Sequence, residues 1–369
     1  MNTKENILGY EKLSKLLKSF AVPSIIAMVV SSLYNVVDQI FIGQGVGYLG
    51  NAATNVSYPL TTICLSIALL IGIGSASRYS LYLGAGEPDK AAKVVGDGIS
   101  MMIFCGIVYA ILIELFIHPM LTAFGATDKV MPYALDYTRI TAVGMPLLIV
   151  TNGISNLARA DGSPKYSMTC MLVGAVINTI LDPIFIFPLG MGVAGAAIAT
   201  VIGQFFSCLM ALRYVPHFQQ VKLNRSHFGL HFRRWPSNVS LGLSSCLNQM
   251  ALTVVQIVLN NSLTYYGAMS VYGKDIPLAA CGIVMKTNSL LLAVIIGISQ
   301  GLQPIVGFNY GARKYDRVQK AYRLAISCNL VISALGFCMF QFFPRQIISL
   351  FGSGDETYMT FAAHFMRIF

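Results

Sequence analysis

The stretch from Ala52 to Ser77 reads AATNVSYPLTTICLSIALLIGIGSAS and contains no Asp, Glu, Lys or Arg. A helix needs about 20 consecutive apolar residues to cross the hydrocarbon core of a bilayer, and this run is long enough. Comparable runs recur on either side of it, at 18–43, 98–118, 133–157, 166–188, 194–214, 237–262, 279–305 and 324–344, and a tenth opens near 357. None shows the two-residue alternation of a barrel strand, and helices are the other way to satisfy backbone hydrogen bonds inside lipid. Composition agrees: of 369 residues, 55% are hydrophobic and 11% charged, with a mean hydropathy of +0.66, whereas a soluble domain carries about 25% charged residues. The fold class expected is all-α integral membrane, multi-pass, with about ten helices.

The net charge of +10 invites a nucleic-acid reading, and its placement argues against one. Counted from a cytoplasmic N-terminus, the inside loops hold Lys4 to Lys18, Arg78 to Lys93, Arg159 and Lys165, Arg213 to Arg234, and Arg313 to Arg323. Only Lys129, Lys274 and Arg345 fall outside. This is the positive-inside bias, and it places the N-terminus in the cytoplasm of a plasma (bacterial inner) membrane. The charged stretch from Lys4 to Lys18 leads into a full-length apolar helix with no small-residue cleavage site, so no cleaved signal peptide is expected. The eight cysteines all lie in predicted spans, with no CxxC and no Cys/His cluster, and read as packing residues.

Two halves repeat at one offset. Gly84-Ala85 with Asp89-Lys90 matches Gly311-Ala312 with Asp316-Arg317; Phe124-Gly125 with Asp128 matches Phe351-Gly352 with Asp355; Ala52-Ala53 matches Ala279-Ala280. Each pair is 227 positions apart, which marks an internal repeat. Six helices per half would place both halves in the same orientation, related by an axis along the membrane normal, with a transport cavity between them. The expected division is 1–213 for the first bundle, 214–236 for a basic cytoplasmic linker and 237–369 for a second, incomplete bundle. By the repeat, that second bundle would need further helices beyond Phe369.

Buried charge marks the candidate site. A carboxylate at the centre of a spanning helix costs about 2.5–3.5 kcal/mol on insertion scales, and Asp38 and Asp182 both fall inside spans. Asn35 lies one turn before Asp38, and Asn178 four residues before Asp182 on the same helix face. Thr200 and Tyr137 come at similar depth, and Pro23 upstream allows a kink in the first helix. Two carboxylates with amide and hydroxyl oxygens suit a hard cation such as Na+; the same pair could instead carry H+. Asn152, Asn156 and Gln256 are candidate cavity residues. Lys286 either faces the cavity or reaches the interface. Gly190-Met-Gly192-Val-Ala-Gly195 fits a dinucleotide fingerprint but joins two spans and has no acidic partner, so it reads as close helix packing. No nucleophile–base grouping is present, which argues against an enzyme.

Four stretches carry a resemblance. They are Tyr34-Asn-Val-Val-Asp-Gln-Ile-Phe-Ile-Gly43; Arg159-Ala-Asp-Gly-Ser-Pro-Lys165; Asn178-Thr-Ile-Leu-Asp-Pro-Ile-Phe-Ile186 running into Gly192 to Thr200; and Gln303-Pro-Ile-Val-Gly-Phe-Asn-Tyr-Gly-Ala312. At these the chain resembles the multidrug and toxic compound extrusion (MATE) family, nearest its DinF/MepA-like branch. The resemblance implies two pseudo-symmetric six-helix bundles of MATE/MOP type and secondary active export of small amphipathic or cationic molecules. Coupling would be to inward Na+ or H+ flow by alternating access, without a cofactor, in a monomer surrounded by lipid. The family's cation site falls on Asp38, Asn178, Asp182 and Thr200, its associated tyrosine on Tyr137, and its bent first helix on Pro23. The run 237–262 offers Asn248, Gln249 and Gln256 where some branches carry acids, so coupling is expected in the first bundle. Two rival expectations are a lipid-linked oligosaccharide flippase of the same superfamily, which would want a cationic cavity, and an inactive truncated membrane protein.

Overall fold

The computed structural model describes residues 6–271, 275–349 and 356–368, and these contain helices and no strand. In chain order they are α1 (Leu13–Gly45), α2 (Tyr48–Gly84), α3 (Pro88–Ala123), α4 (Met131–Ala160), α5 (Pro164–Ile186), α6 (Gly192–Tyr214), the short α7 (Trp235–Val239), α8 (Leu243–Ala268), α9 (Asp275–Gly311), α10 (Tyr315–Phe342), the short α11 (Pro344–Ser349) and α12 (Glu356–Ile368). Among the described residues, nine helices are long and apolar enough to cross a membrane. Several outrun their apolar cores because the ends continue past the hydrocarbon: α2 has 37 residues. α1 runs unbroken through Pro23. α3 is interrupted at Phe116, where Pro119 cannot donate to the carbonyl four residues earlier. Lys4, Lys274 and the repeat match at Phe351, Gly352 and Asp355 lie outside the described residues.

The repeat reappears in three dimensions. α2 ends at Gly84 with Gly86 in the left-handed region at φ 76°, and α9 ends at Gly311 with Arg313 at φ 58°. Glu87 N donates to Tyr82 O at 2.9 Å, and 227 positions on, Lys314 N donates to Asn309 O at 2.8 Å. Both are the long hydrogen bond of a helix-terminating Schellman turn. Glycine occupies the left-handed position at no steric cost in the first copy; arginine accepts it in the second.

The first six helices form one bundle, α4 packing against α2, α3 and α6, and α5 against α6 and α1. The second group crosses over it: α1 packs on α9, and α8 on α2. These contacts gather at the end of the molecule carrying the basic loops, called here the basic end. A Cβ on Gly84 would strike the Phe308 carbonyl oxygen, and one on Gly311 would strike the Leu81 carbonyl oxygen. Both pairs are repeat mates, 84 with 311 and 81 with 308, so the contact is reciprocal about the pseudo-twofold axis. Gly301 on Ala21 and Gly297 on Ile25 continue the seam along α1, and Gln303 Nε2 donates across it to Ser77 Oγ at 2.8 Å. The start of the chain is fastened to the same end. Asn309 Nδ2 donates to Leu8 O at 2.8 Å, Lys314 Nζ to Gly9 O at 3.0 Å and Arg317 Nη2 to Glu11 O at 2.7 Å.

Asp161, just past α4 and 1% exposed, organises the remaining basic-end turn. Its carboxylate accepts from Tyr79 Oη at 2.5 Å, Tyr214 Oη at 2.6 Å, Gln219 N at 2.6 Å and Gln220 N at 3.1 Å. Burial pushes its pKa up, and the four donors lower it in part. Asp161→Ala takes the acceptor from the buried Tyr79 and Tyr214 hydroxyls at about 1–3 kcal/mol each. The purified variant should melt well below wild type, and an unchanged melting temperature in detergent would show that this cluster is not holding the turn at Gln219 and Gln220.

Candidate functional site

The site lies between α1, α4, α5 and α6, toward the end opposite the basic loops. Asp182 is 0% exposed and Asn178 3%. Their four-residue spacing puts both on the buried face of α5, and Asn178 Nδ2 donates to Asp182 Oδ1 at 3.0 Å. The same amide reaches Thr200 Oγ1 on α6 at 3.2 Å. From α1, the Asp38 carboxyl meets that of Asp182, side chain to side chain. Tyr137 of α4 and Tyr34 of α1 lie close enough to interact electrostatically with both acids. Tyr34 is a site residue not expected from the sequence, although it stands four residues before Asp38 on the same helix face.

Donors and acceptors do not balance here. Asp38 Oδ1, Asp182 Oδ2 and Asn178 Oδ1 are all buried with no hydrogen-bond partner among the described residues. Buried acceptors are normally paired, and two adjoining carboxylates cannot both stay ionised in low dielectric without compensation. The set therefore fits one positive charge, as a hard cation on its oxygens or as a proton shared by the acids. Thr200 Oγ1 and Asn178 Oδ1 are the neutral oxygens that would complete a cation's shell.

A cavity of about 210 Å³ adjoins the site. Asn178 and Thr200 form part of its wall, with Ser31, Tyr34, Asn35, Tyr58, Thr151, Asn152, Gln204, Ser207 and, from α8, Gln249. Among the described residues, none that lines it is Lys, Arg, Asp or Glu. Asn35 and Tyr58 are exposed at its margin. The structure thus brings together Asp38, Asn178, Asp182, Thr200 and Tyr137, and sets Asn35 and Asn152 in the cavity wall. It does not bring the other candidates there. Asn156 is buried behind the wall, donating to Asn152 O at 2.9 Å and accepting from Arg159 Nη1 at 3.2 Å. Gln256 and Lys286 are half-buried on α8 and α9 and do not line the cavity. Pro23 is buried within α1, well before Asp38. Gln204, also unread from the sequence, is one turn beyond Thr200 on the same face of α6 and reaches the cavity by the same periodicity.

Comparisons with known proteins place this geometry. The chain is 27% identical over 93% of its length to an FAD transporter of Shewanella oneidensis, covering 75% of that protein. It is 25% identical over 97% of its length to the probable multidrug resistance protein YoeA of Bacillus subtilis, covering 78% of it. With the multidrug export protein MepA of Staphylococcus aureus it shares 24% identity over 99% of its length and 79% of that protein. Among solved structures, it superposes on the outward-facing conformation of a multidrug resistance MATE family transporter of the MOP superfamily. The TM-score is 0.90, with 24% identity over 100% of this chain and 80% of the other. A MOP superfamily transporter from Pyrococcus furiosus gives 0.89 at 23% identity over 100% of this chain and 80% of that one. The MatE family model matches residues 23–184 and 245–369, one segment in each half of the repeat and together most of the chain. This multi-pass, all-helical membrane protein belongs to the MatE family, in its DinF/MepA-like branch.

Proposed function

We propose that the chain exports small amphipathic or cationic molecules across the plasma membrane, its N-terminus in the cytoplasm, by antiport against Na+ or H+. The observation that carries this reading is the trio of unpartnered buried oxygens on Asp38, Asp182 and Asn178 beside a polar cavity. A charge taken up there compensates the acid pair and alters how α1 seats against α5. An ion can drive a conformational equilibrium only by binding its two states unequally, and a site assembled from four helices meets that condition when the helices move. The proposed division is a first bundle at 1–213, a linker at 214–236 and a second bundle at 237–369, working as a monomer, with α1 bending near Pro23. The names of the YoeA and MepA relatives support multidrug efflux. An uncharged cavity lining gives no support to a flippase for anionic lipid-linked sugars.

The test uses the purified chain in liposomes with ethidium as substrate. An imposed Na+ gradient or an imposed pH gradient should each be tried, and one of them should accelerate ethidium movement by more than about tenfold, the effect of a favourable 1.4 kcal/mol. Movement indifferent to both gradients would end the antiport reading.

A further inference from the structure

The acid pair has two unlike sides. Toward the middle of the molecule, Asn178 and Thr200 open it to the cavity. In the other direction, one helical turn further along each of three helices, the chemistry changes abruptly. Ile42 follows Asp38 by four residues, Ile186 follows Asp182 by four, and Ala196 precedes Thr200 by four on α6, which runs the opposite way. These three form a core cluster of their own, at 0%, 4% and 0% exposure, with Phe41 packed against it. Phe41 in turn meets Phe187 edge to face at 6.4 Å.

Both isoleucines pack against a glycine, Ile186 on Gly45 and Ile42 on Gly50. The space a Cβ on Gly45 would fill is taken by Ile186 Cγ2, and that of Gly50 is met by Ile42 Cγ2 at 2.9 Å. The layer thus spans α1, α5 and α6, carries no side-chain polar atom, and closes against backbone. A small ion crossing it would have to shed its water with nothing in exchange, which is prohibitive for a full charge. The cavity side offers hydroxyls and amides instead.

We propose that Ile42, Ile186 and Ala196 are an apolar plug that closes the acid pair toward the end opposite the basic loops, leaving the substrate cavity as the coupling ion's route to Asp38 and Asp182. The proposal deepens the antiport reading and rests on it. A substrate seated in the cavity then stands in the ion's path, and the ion enters only after the cavity clears. The plug also keeps the acid pair from connecting both faces of the membrane at once, since an inward-opened cavity would otherwise complete a channel through the first bundle.

The experiment compares the full chain with Ile42→Ala/Ile186→Ala, both reconstituted without export substrate under an imposed Na+ or pH gradient. Opening the plug should raise passive flux of the coupling ion by at least about tenfold, corresponding to a barrier lowered by 1.4 kcal/mol, and adding Asp38→Asn should abolish the increase. A folded double variant with wild-type flux would overturn the proposal. A second measurement needs no variant: reaction of Asp38 and Asp182 with dicyclohexylcarbodiimide in the unmodified protein, read by mass spectrometry. At ethidium levels that saturate binding tenfold over, by its own fluorescence, labelling should slow by roughly tenfold. Labelling at an unchanged rate would mean that the acids have another door, whether or not export is ion-driven. Export that ignores both gradients would instead count against the antiport reading while leaving the flux comparison to judge the plug.

Discussion

Asp38→Asn should reduce gradient-driven ethidium efflux to the level of empty liposomes, more than about 100-fold below wild type where 2.7 kcal/mol of coupling is lost. Asparagine has nearly the same shape, but its amide can donate to the facing Asp182 carboxyl and removes one of the two charges that call for a cation. The Asp182 carboxyl then has a donor without any ion, and the paired acid that the gradient acts on is gone. Failed insertion does not explain such a result, because exchanging a carboxylate for a neutral amide of the same shape does not raise the insertion cost of a spanning helix. Ethidium binding should persist, since the cavity lining is neutral and does not include Asp38. The pair of readouts separates coupling from recognition: efflux that survives in Asp38→Asn would move the coupling site elsewhere. Asp182→Asn should also uncouple, with more damage to folding, because Asp182 is fully buried and accepts from Asn178.

The fold was legible because lipid enforces it. Once Ala52 to Ser77 is read as a span, the remaining runs and the basic loops follow from length and charge placement alone. The acid pair was legible for the same reason: a carboxylate inside a span is costly enough to demand a purpose. What escaped was neutral. Tyr34, Gln204 and Ser207 carry no charge that would mark them out, and only their turn-by-turn spacing from Asp38 and Thr200 links them to the cavity. Asn156 drew notice as an amide in a span, but an amide can be satisfied locally, and it is, by Asn152 and Arg159. The plug was invisible because isoleucine and alanine are the expected residues of any spanning helix; its meaning comes from which polar residues lie one turn away. The seam glycines likewise look ordinary until the neighbour that each one admits is known.

That seam gives the other large effect. Gly84→Ala and Gly311→Ala should each shift the protein away from the conformation described here, in which the basic end is closed. A methyl at either position meets a backbone carbonyl of the facing helix, and a carbonyl held in a helix cannot rotate aside as a side chain would. Overpacking of this kind costs about 1–3 kcal/mol. In any conformation where the two bundles part at this end, the added methyl has no such neighbour, so the cost falls on the closed state alone. A shift of about 1–3 kcal/mol moves the population ratio by roughly 5-fold to 150-fold. Spin labels at Lys129→Cys and Arg345→Cys, on a Cys338→Ser background, would report the separation of the two bundles at the end opposite the basic loops. Their distance should shorten in either glycine variant as that end closes, and efflux should fall because the return to the outward state is blocked. Gly282→Ala is the control, since a Cβ there has nothing within 4 Å, and it should change neither readout. The reciprocity of the contact makes the prediction stricter: Gly84 and Gly311 are repeat mates facing the carbonyls of Phe308 and Leu81, which are repeat mates too, so the two variants should shift the distance alike. A shift in one variant and none in the other would mean that the seam does not close as a symmetric unit, and that only one half of the repeat carries the lock.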